Sequence, residues 1–123
     1  MTAANALYSD VIRERWRKPR YRGESMNPTS VAEDVNPLCG ERVRVSVRVE
    51  AGTVAEARFT GDSCAICTAS ADVVSELATG RSTAAAARLG TEDVLEVLRA
   101  DVRRTRMRCV TPPITVLGVA LAR

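Results

Sequence analysis

The chain has 123 residues, of which 46% are apolar, 27% charged and only 3% aromatic, and its formal net charge is +3. This length predicts one domain, residues 1–123, around a single modest core of Val, Ala, Leu and Ile. No apolar stretch reaches the roughly 18–20 residues of a transmembrane helix, no secretory leader is recognisable at the start, and no nucleic-acid-reading motif is present, so we expect a cytoplasmic protein that binds neither membrane nor nucleic acid.

The first segment of the sequence predicts a short amphipathic helix over residues 5–18. Leu7, Val11 and Ile12 fall on one side of this helix, and basic residues occupy the rest of its surface. We expect the helix to end near Pro19, because the residue before a proline is disfavoured in the helical conformation.

The next segment predicts a small antiparallel sheet. Residues 20–38 are rich in Gly, Asn, Pro and Ser, which indicates a loop, with a short edge strand around 30–35. Residues 41–50 place valine at every second position against Arg and Ser, as a half-buried strand with one polar face does. A turn at 51–53 and a strand over 54–60 complete a β-hairpin.

The second half of the sequence predicts helices. From Cys64 onward, small and apolar residues recur at three- and four-residue spacing, and Gly80 stands where a glycine commonly follows a helix. Three further helices are predicted over 83–89, over 92–102 with Thr91 as its N-cap, and over 112–121. Strands followed by helices indicate an α+β fold, a small antiparallel sheet of about three strands with helices packed on one face.

The four cysteines, Cys39, Cys64, Cys67 and Cys109, all fall where a predicted element begins or ends. In a reducing cytoplasm, cysteines are more often metal ligands or reactive thiols than disulfide partners. Disulfides and buried inert thiols are the plainer alternatives, since cysteine is among the most buried residue types. Thiols gathered at the ends of several elements favour a metal or sulfur-transfer site.

The absence of histidine from the sequence leaves few candidates for the four ligands that zinc prefers. Cys39, Cys64 and Cys109 supply three thiolates, and the fourth ligand is a carboxylate, the fourth cysteine or an external group. Glu41 lies two residues beyond Cys39 across a glycine, so a turn can aim both at one ion. Cys67 lies one helical turn beyond Cys64. The plainer interpretations are a solvated strand residue for Glu41 and a small core residue for Cys67.

Two of the thiols are predicted at helix N-termini, and this position affects their reactivity. Cys64 and Cys109 each stand just before a predicted helix, where the positive end of the helix dipole favours the thiolate. Arg108 beside Cys109 adds to this preference, or is an ordinary surface arginine. Such thiolates are better nucleophiles and better metal ligands at neutral pH.

Three segments together resemble a known three-cysteine pattern: Asn-Pro-Leu-Cys-Gly-Glu at 36–41, Ala-Arg-Phe-Thr-Gly-Asp-Ser-Cys-Ala-Ile at 57–66 and Arg-Met-Arg-Cys at 106–109. The pattern is similar to that of the iron–sulfur cluster scaffold family of the IscU and SufU type, also found as the N-terminal domain of NifU. Residues 7–12 and 79–82 fit the same family, so the resemblance covers nearly the whole chain in order.

The resemblance implies a scaffold or sulfur-relay protein that works with an enzyme rather than an enzyme itself. In this family a pyridoxal-phosphate cysteine desulfurase passes persulfide sulfur to the scaffold. The scaffold then builds a transient [2Fe–2S] cluster or delivers sulfur to downstream iron–sulfur apoproteins or other recipients. Transferred to this chain, the ligands of zinc or cluster are Cys39, Cys64 and Cys109, and Glu41 occupies the place of a family aspartate that helps to bind the metal. Cys39 is the favoured sulfur acceptor and Cys109 the alternative.

The chain also departs from both branches of the family. Arg108 replaces the histidine of the IscU branch, as a basic residue does in the SufU branch, yet the segment 65–108 is too short for the SufU insertion. The Leu-Pro-Pro-Val-Lys segment of the IscU branch is absent, Ser63 replaces a glycine, and Cys67 occupies a position that is usually small and uncharged. The missing histidine favours the SufU-like route, in which the first cysteine leaves a bound zinc as it accepts sulfur.

Two further interpretations depend on residues outside the three-cysteine pattern. If Cys67 is a fourth ligand, the chain is a structural or regulatory zinc-binding protein of the same fold with a closed four-cysteine site. If Cys67 does not bind the metal, it can serve as a relay or resolving thiol. Basic residues are concentrated at 13–22 and 99–108, where they either steer docking onto an acidic desulfurase surface or form solvated faces.

Overall fold

The computed structural model of the protein describes residues 10–36, 41–99 and 104–122, which form five helices and three strands. They are α1 (Asp10–Arg17), β1 (Ser30–Asn36), β2 (Glu41–Glu50), β3 (Thr53–Thr60), α2 (Ala65–Ala78), α3 (Thr83–Ala87), α4 (Thr91–Leu98) and α5 (Arg104–Ala122). Within these ranges, no helix combines the length and the apolar composition that crossing a bilayer requires.

The three strands form one antiparallel sheet with β2 in the centre. Val43, Val45 and Val47 of β2 are buried, because alternate side chains of a strand point to the same face. The strand predicted over 41–50 is confirmed, and the predicted edge strand is β1. The predicted hairpin is formed by β2 and β3, with an irregular register after Arg48.

Helices α2 and α5 cover the apolar face of the sheet. Helix α2 packs against β3, α5 packs against β1 and β2, and α1 and α4 lie against α2. The helices contribute to the core Ile66, Val73 and Val74 from α2, and Val110, Val116 and Leu117 from α5. The predicted α+β architecture, a three-stranded antiparallel sheet with helices on one face, is confirmed.

The opposite, polar face of the sheet is partly covered by the segment that precedes β1. The backbone N–H of Ser25 donates to Ser46 Oγ at 2.9 Å, and Ser25 Oγ donates to the Glu56 carboxylate at 2.6 Å. Further along, the N–H of Thr29 donates to the carbonyl of Val47 at 2.7 Å. Ser46 is therefore buried, although the sequence pattern placed it on a solvated face.

Helix α1 ends before Pro19, as predicted, and the predicted first turn at residues 5–9 lies outside the described residues. Its Arg15 is buried and donates to the carboxylate of Asp72 in α2 at 2.8 Å. The same carboxylate accepts the backbone N–H of Tyr21 at 2.8 Å. At least this member of the basic run 13–22 is therefore not on a solvated face but holds α1 against α2.

Helix α4 is shorter than the helix predicted over 92–102. It ends at Leu98, and Arg99 follows in the left-handed conformation with φ of 53°. Its N-cap is Gly90 rather than Thr91. The C-terminal end of α4 carries no local stop signal in the sequence, because glycine is the usual residue in the left-handed conformation after a helix and arginine is uncommon there.

Helix α5 begins at Arg104, well before the start predicted at Pro112, and both Pro112 and Pro113 lie inside it. The sequence predicted a helix start at Pro112 because a proline lacks the N–H that a helix interior uses and crowds the carbonyl four residues earlier. That prediction was wrong. Here Ser70 Oγ of α2 donates to the carbonyl of Val110 at 2.8 Å. Packing against α2 thus supports the helix next to its two prolines.

Candidate functional site

Glu41, Cys64 and Cys109 come together from three separate elements. Glu41 is the first residue of β2, Cys64 is the N-cap of α2, and Cys109 lies in α5. One carboxylate oxygen of Glu41 and the Sγ atoms of the two cysteines all lie within 4.8 Å of one another. Cys109 is buried and the other two residues are half-buried, so the group lies where the core meets the surface.

The loop between β3 and α2 places Cys64 beside Glu41, and Gly61 allows this close approach. The backbone N–H of Arg42 donates to the carbonyl of Asp62 at 2.8 Å, which fastens the loop to the start of β2. Gly61 has φ of +132°, and a Cβ atom there would overlap the carbonyl oxygen of Arg42. Only glycine fits both the backbone conformation and the contact.

Replacing Gly61 by alanine should displace this loop, destabilise the protein by at least about 2 kcal/mol and weaken metal binding at Cys64. Gly23→Ala is a matched control, since Gly23 has φ of +133° and open space around the added Cβ. Urea unfolding and zinc titration of both variants provide the measurement. Equal losses in the two variants would show that backbone strain alone, and not the contact with Arg42, explains the effect.

The first turn of α2 fixes the orientation of both Cys64 and Glu41. The backbone N–H of Cys67 donates to Cys64 Sγ at 3.4 Å, so the thiol itself caps the helix. The backbone N–H of Cys64 donates to the Glu41 carboxylate at 3.2 Å. A carboxylate is favourable at this end of a helix, because the unpaired N–H groups carry partial positive charge.

The environment of Cys64 raises its pKa to about 12, chiefly because burial disfavours the charged thiolate. The nearby Cys109 and the carboxylate of Glu41 raise the pKa further, against a lowering by the N–H of Cys67. The helix N-terminus by itself favours the Cys64 thiolate, but in the metal-free protein these other effects shift the pKa in the opposite direction. Desolvation and neighbouring acidic groups outweigh the helix dipole.

This set of donors fits a thiophilic divalent metal. Two sulfur atoms and one carboxylate oxygen within 4.8 Å of one another are the donor types that zinc and iron sites use. A bound cation would outweigh the burial that raises the pKa of Cys64, because it stabilises the thiolate directly. The separations within 4.8 Å are compatible with ligation of one ion after small side-chain adjustments.

The remaining sequence-predicted site residues are Cys67, Cys39 and Arg108. Cys67 is 2% exposed and belongs to the hydrophobic core, and it is not part of the group formed by Glu41, Cys64 and Cys109. Cys39 lies outside the described residues, as does the side chain of Arg108. Cys109 is not ahead of a helix, as the sequence suggested, but in the second turn of α5.

Sequence reasoning assigned no role to Gly61, although the signal was present. A glycine between the end of a strand and a capping cysteine is a typical site of close backbone approach. Ser70 was also overlooked, because a serine within a helix has no local feature that predicts a bond to another helix.

The structure defines the class of protein as a small α+β domain with two thiols and a carboxylate, the donors of a candidate metal site, gathered at one end of its sheet. Residues 7–122 match the family model described as the NifU-like N terminal domain, and the chain belongs to this family.

Two curated relatives and one solved structure are similar to the chain. It is 32% identical over 77 residues to the zinc-dependent sulfurtransferase SufU of Bacillus subtilis, covering 63% of this chain and 52% of that protein. It is 33% identical over 70 residues to the iron–sulfur cluster assembly scaffold protein IscU of Thermotoga maritima, covering 57% and 49%. The chain thus spans about half the length of these relatives.

The fold is shared with a crystal structure described as a candidate iron–sulfur cluster assembly scaffold protein for the SUF system of Fervidobacterium islandicum. The TM-score is 0.79 with 22% sequence identity, and the match covers 96% of this chain and 98% of that chain.

Proposed function

We propose that this protein is an iron–sulfur cluster assembly scaffold or sulfur acceptor that takes persulfide sulfur from a pyridoxal-phosphate cysteine desulfurase. The observation that carries the proposal is the group of Glu41, Cys64 and Cys109, in a chain whose relatives include a zinc-dependent sulfurtransferase and a cluster scaffold. The protein acts as a scaffold or relay, and the desulfurase is the enzyme. Downstream apoproteins or other sulfur recipients take the product.

The ligands in this proposal are Cys39, Glu41, Cys64 and Cys109. Zinc bound by them holds the thiols deprotonated and neutralises the crowded acidic groups. Glu41 is anchored by the N–H of Cys64 and completes the donor set without a fourth thiol. Cys39 is the sulfur acceptor, with Cys109 as the alternative, and it exchanges its metal bond for the incoming sulfur as in a SufU-like route. The same cysteines hold a [2Fe–2S] cluster transiently where a cluster is the product.

The alternative is a structural or regulatory zinc protein with a closed four-cysteine site, and it requires Cys67 on the metal. In the described residues, Glu41 rather than Cys67 shares the group with Cys64 and Cys109. A carboxylate is exchanged more readily than a thiolate, and working metal sites keep an exchangeable position. The geometry thus favours the sulfur acceptor.

The test is the metal and sulfide content of protein purified with and without oxygen, together with desulfurase turnover in the presence of an external thiol reductant. The wild type should contain one labile zinc or a [2Fe–2S] chromophore and should stimulate turnover. Cys39→Ser should abolish the stimulation and Cys67→Ser should not. A tightly held zinc that is lost in Cys67→Ser, without any effect on a desulfurase, would overturn the proposal in favour of the closed site.

A further inference from the structure

Cys67 follows Cys64 by three residues, and the two form a Cys-Ala-Ile-Cys motif at the start of α2. Cα atoms three residues apart on a helix are about 5 Å apart, within the roughly 4.4–6.8 Å that a disulfide spans. The N–H of Cys67 already donates to Cys64 Sγ at 3.4 Å. This bond holds the Cys64 sulfur over the turn that bears Cys67.

The two thiols differ in access. Cys64 is half-buried and can be reached from the site, whereas Cys67 is 2% exposed and sits in the core. No disulfide involves any of the three cysteines that the structure describes. An external sulfur donor therefore meets Cys64 first, and Cys67 reacts only with what Cys64 carries.

We propose that Cys67 is the resolving thiol of Cys64, and that it releases as sulfide a sulfur atom that Cys64 holds as a persulfide. The Cys67 sulfur attacks Cys64 Sγ, the Cys64–Cys67 disulfide forms, and the bond between Cys64 Sγ and the outer sulfur breaks. The outer sulfur leaves with the electron pair of that bond and takes up the Cys67 proton, giving hydrogen sulfide. The two cysteines supply the two electrons that reduce sulfane sulfur to sulfide.

Attack at the inner sulfur follows from the geometry. The capping hydrogen bond fixes Cys64 Sγ, not the outer atom, next to Cys67. Hydrosulfide is a good leaving group compared with an alkyl thiolate, and exchange is faster when the leaving group has the lower pKa. An external dithiol reductant then restores the pair by thiol–disulfide exchange.

Cys109 is the competing thiol, because its Sγ also lies within 4.8 Å of Cys64 Sγ. Cys109 belongs to the donor group with Glu41, however, and a thiolate that ligates a metal is less available for attack. Cys67 lies outside that group. The inference rests on the proposed function for the source of the sulfur, which the first acceptor, Cys39 or Cys109, passes to the Cys64 thiol by persulfide transfer and thereby returns to its own thiol form. The disulfide chemistry itself does not need a desulfurase.

The experiment loads the purified protein with inorganic polysulfide, removes the excess, and follows sulfide release and the cysteine-containing peptides by mass spectrometry. Trypsin separates the candidates, since peptide 59–81 contains Cys64 and Cys67, peptide 23–42 contains Cys39 and peptide 109–123 contains Cys109. In wild type, peptide 59–81 should gain one sulfur atom and then become two hydrogen atoms lighter than the dithiol as sulfide appears. In Cys67→Ser the persulfide should persist at least about 10-fold longer.

Two results would overturn the inference: a disulfide that joins peptide 59–81 to peptide 109–123, or a persulfide that decays equally fast in wild type and in Cys67→Ser. The wild-type peptide map decides the question even if Cys67→Ser folds poorly, and Cys67→Ala provides a second, apolar replacement for a core position. A parallel loading with a cysteine desulfurase and cysteine separates the two proposals. Discharge after polysulfide without loading by the desulfurase would count against the proposed function alone, whereas loading without discharge would count against the resolving role alone.

Discussion

Zinc affinity should rise at least about tenfold for each pH unit between about pH 6 and about pH 8. Burial, the neighbouring Cys109 and the Glu41 carboxylate raise the pKa of Cys64 to about 12, so this thiol is protonated throughout that range. A cysteine must lose its proton to ligate a metal, and each proton released on binding makes affinity change tenfold per pH unit. Because the raised pKa keeps Cys64 protonated in the free protein, zinc binding releases its proton, and the zinc affinity therefore increases with pH.

Titrations against a competing chelator at several pH values, in wild type and in Cys64→Ser, measure this effect. Serine is a favoured N-cap residue, so Cys64→Ser should keep the start of α2 while losing the ligand. We expect this variant to bind zinc at least about 100-fold more weakly, since loss of mere supporting contacts already costs 10–100-fold, and to release one proton fewer.

Cys67→Ala tests whether the pH dependence of zinc binding follows from the number of thiols in the protein or from the position of Cys64. If Cys67 lies off the metal, its removal should leave the pH dependence of zinc binding as in wild type. A zinc affinity independent of pH, or a Cys64→Ser variant with the wild-type slope, would contradict Cys64 as a ligand. A slope reduced in Cys67→Ala would instead support the closed four-cysteine site.

The sheet and α2 were predictable because their signals are local. Val43, Val45 and Val47 alternate with polar residues, which only a strand with one buried face requires. The cysteine before α2 and Gly80 after it mark the two ends, and Gly80 indeed has φ of +89°. These elements could be predicted because the local sequence patterns and the final fold require the same structure.

Helix α5 was not predictable to the same degree, because its start depends on tertiary contacts. Pro112 and Pro113 locally favour a helix start, yet packing on the sheet and the Ser70 bond to Val110 keep the helix continuous through them. For the same reason the position of Cys109 within the helix could not be read from the sequence.

Some features of the candidate site were likewise predictable from the sequence and others were not. The sequence identified Glu41 as a candidate ligand from its spacing, and the structure brings it to Cys64 and Cys109. The raised pKa of Cys64 could not be foreseen, because the helix dipole is a local feature whereas burial and two acidic neighbours from other elements are not. Spacing identifies which residues can meet, but the charge that they carry depends on everything that meets there.

Asp72→Ala should destabilise the protein by about 3–5 kcal/mol, the usual cost of breaking one side of a buried ion pair. Asp72 is 0% exposed and accepts bonds from Arg15 and from the N–H of Tyr21. Its removal leaves the buried Arg15 guanidinium without this partner and the N–H of Tyr21 without its acceptor. Urea unfolding of the metal-free protein provides the measurement.

Glu76→Ala is the matched control, because Glu76 also binds Arg15, at 2.7 Å, but its side chain is 38% exposed. Only the Arg15 member of this pair is buried, and solvent screening of the Glu76 carboxylate brings its contribution closer to the about 0–1 kcal/mol of exposed pairs. This variant should therefore lose far less stability, and equal losses would contradict the special role of burial. Asp72 lies two helical turns beyond Cys64 and fastens α1, not the loop at Gly61, to α2. The folded fraction of Asp72→Ala should therefore bind zinc about as well as wild type, which would separate the residues that hold the domain together from those that form its site.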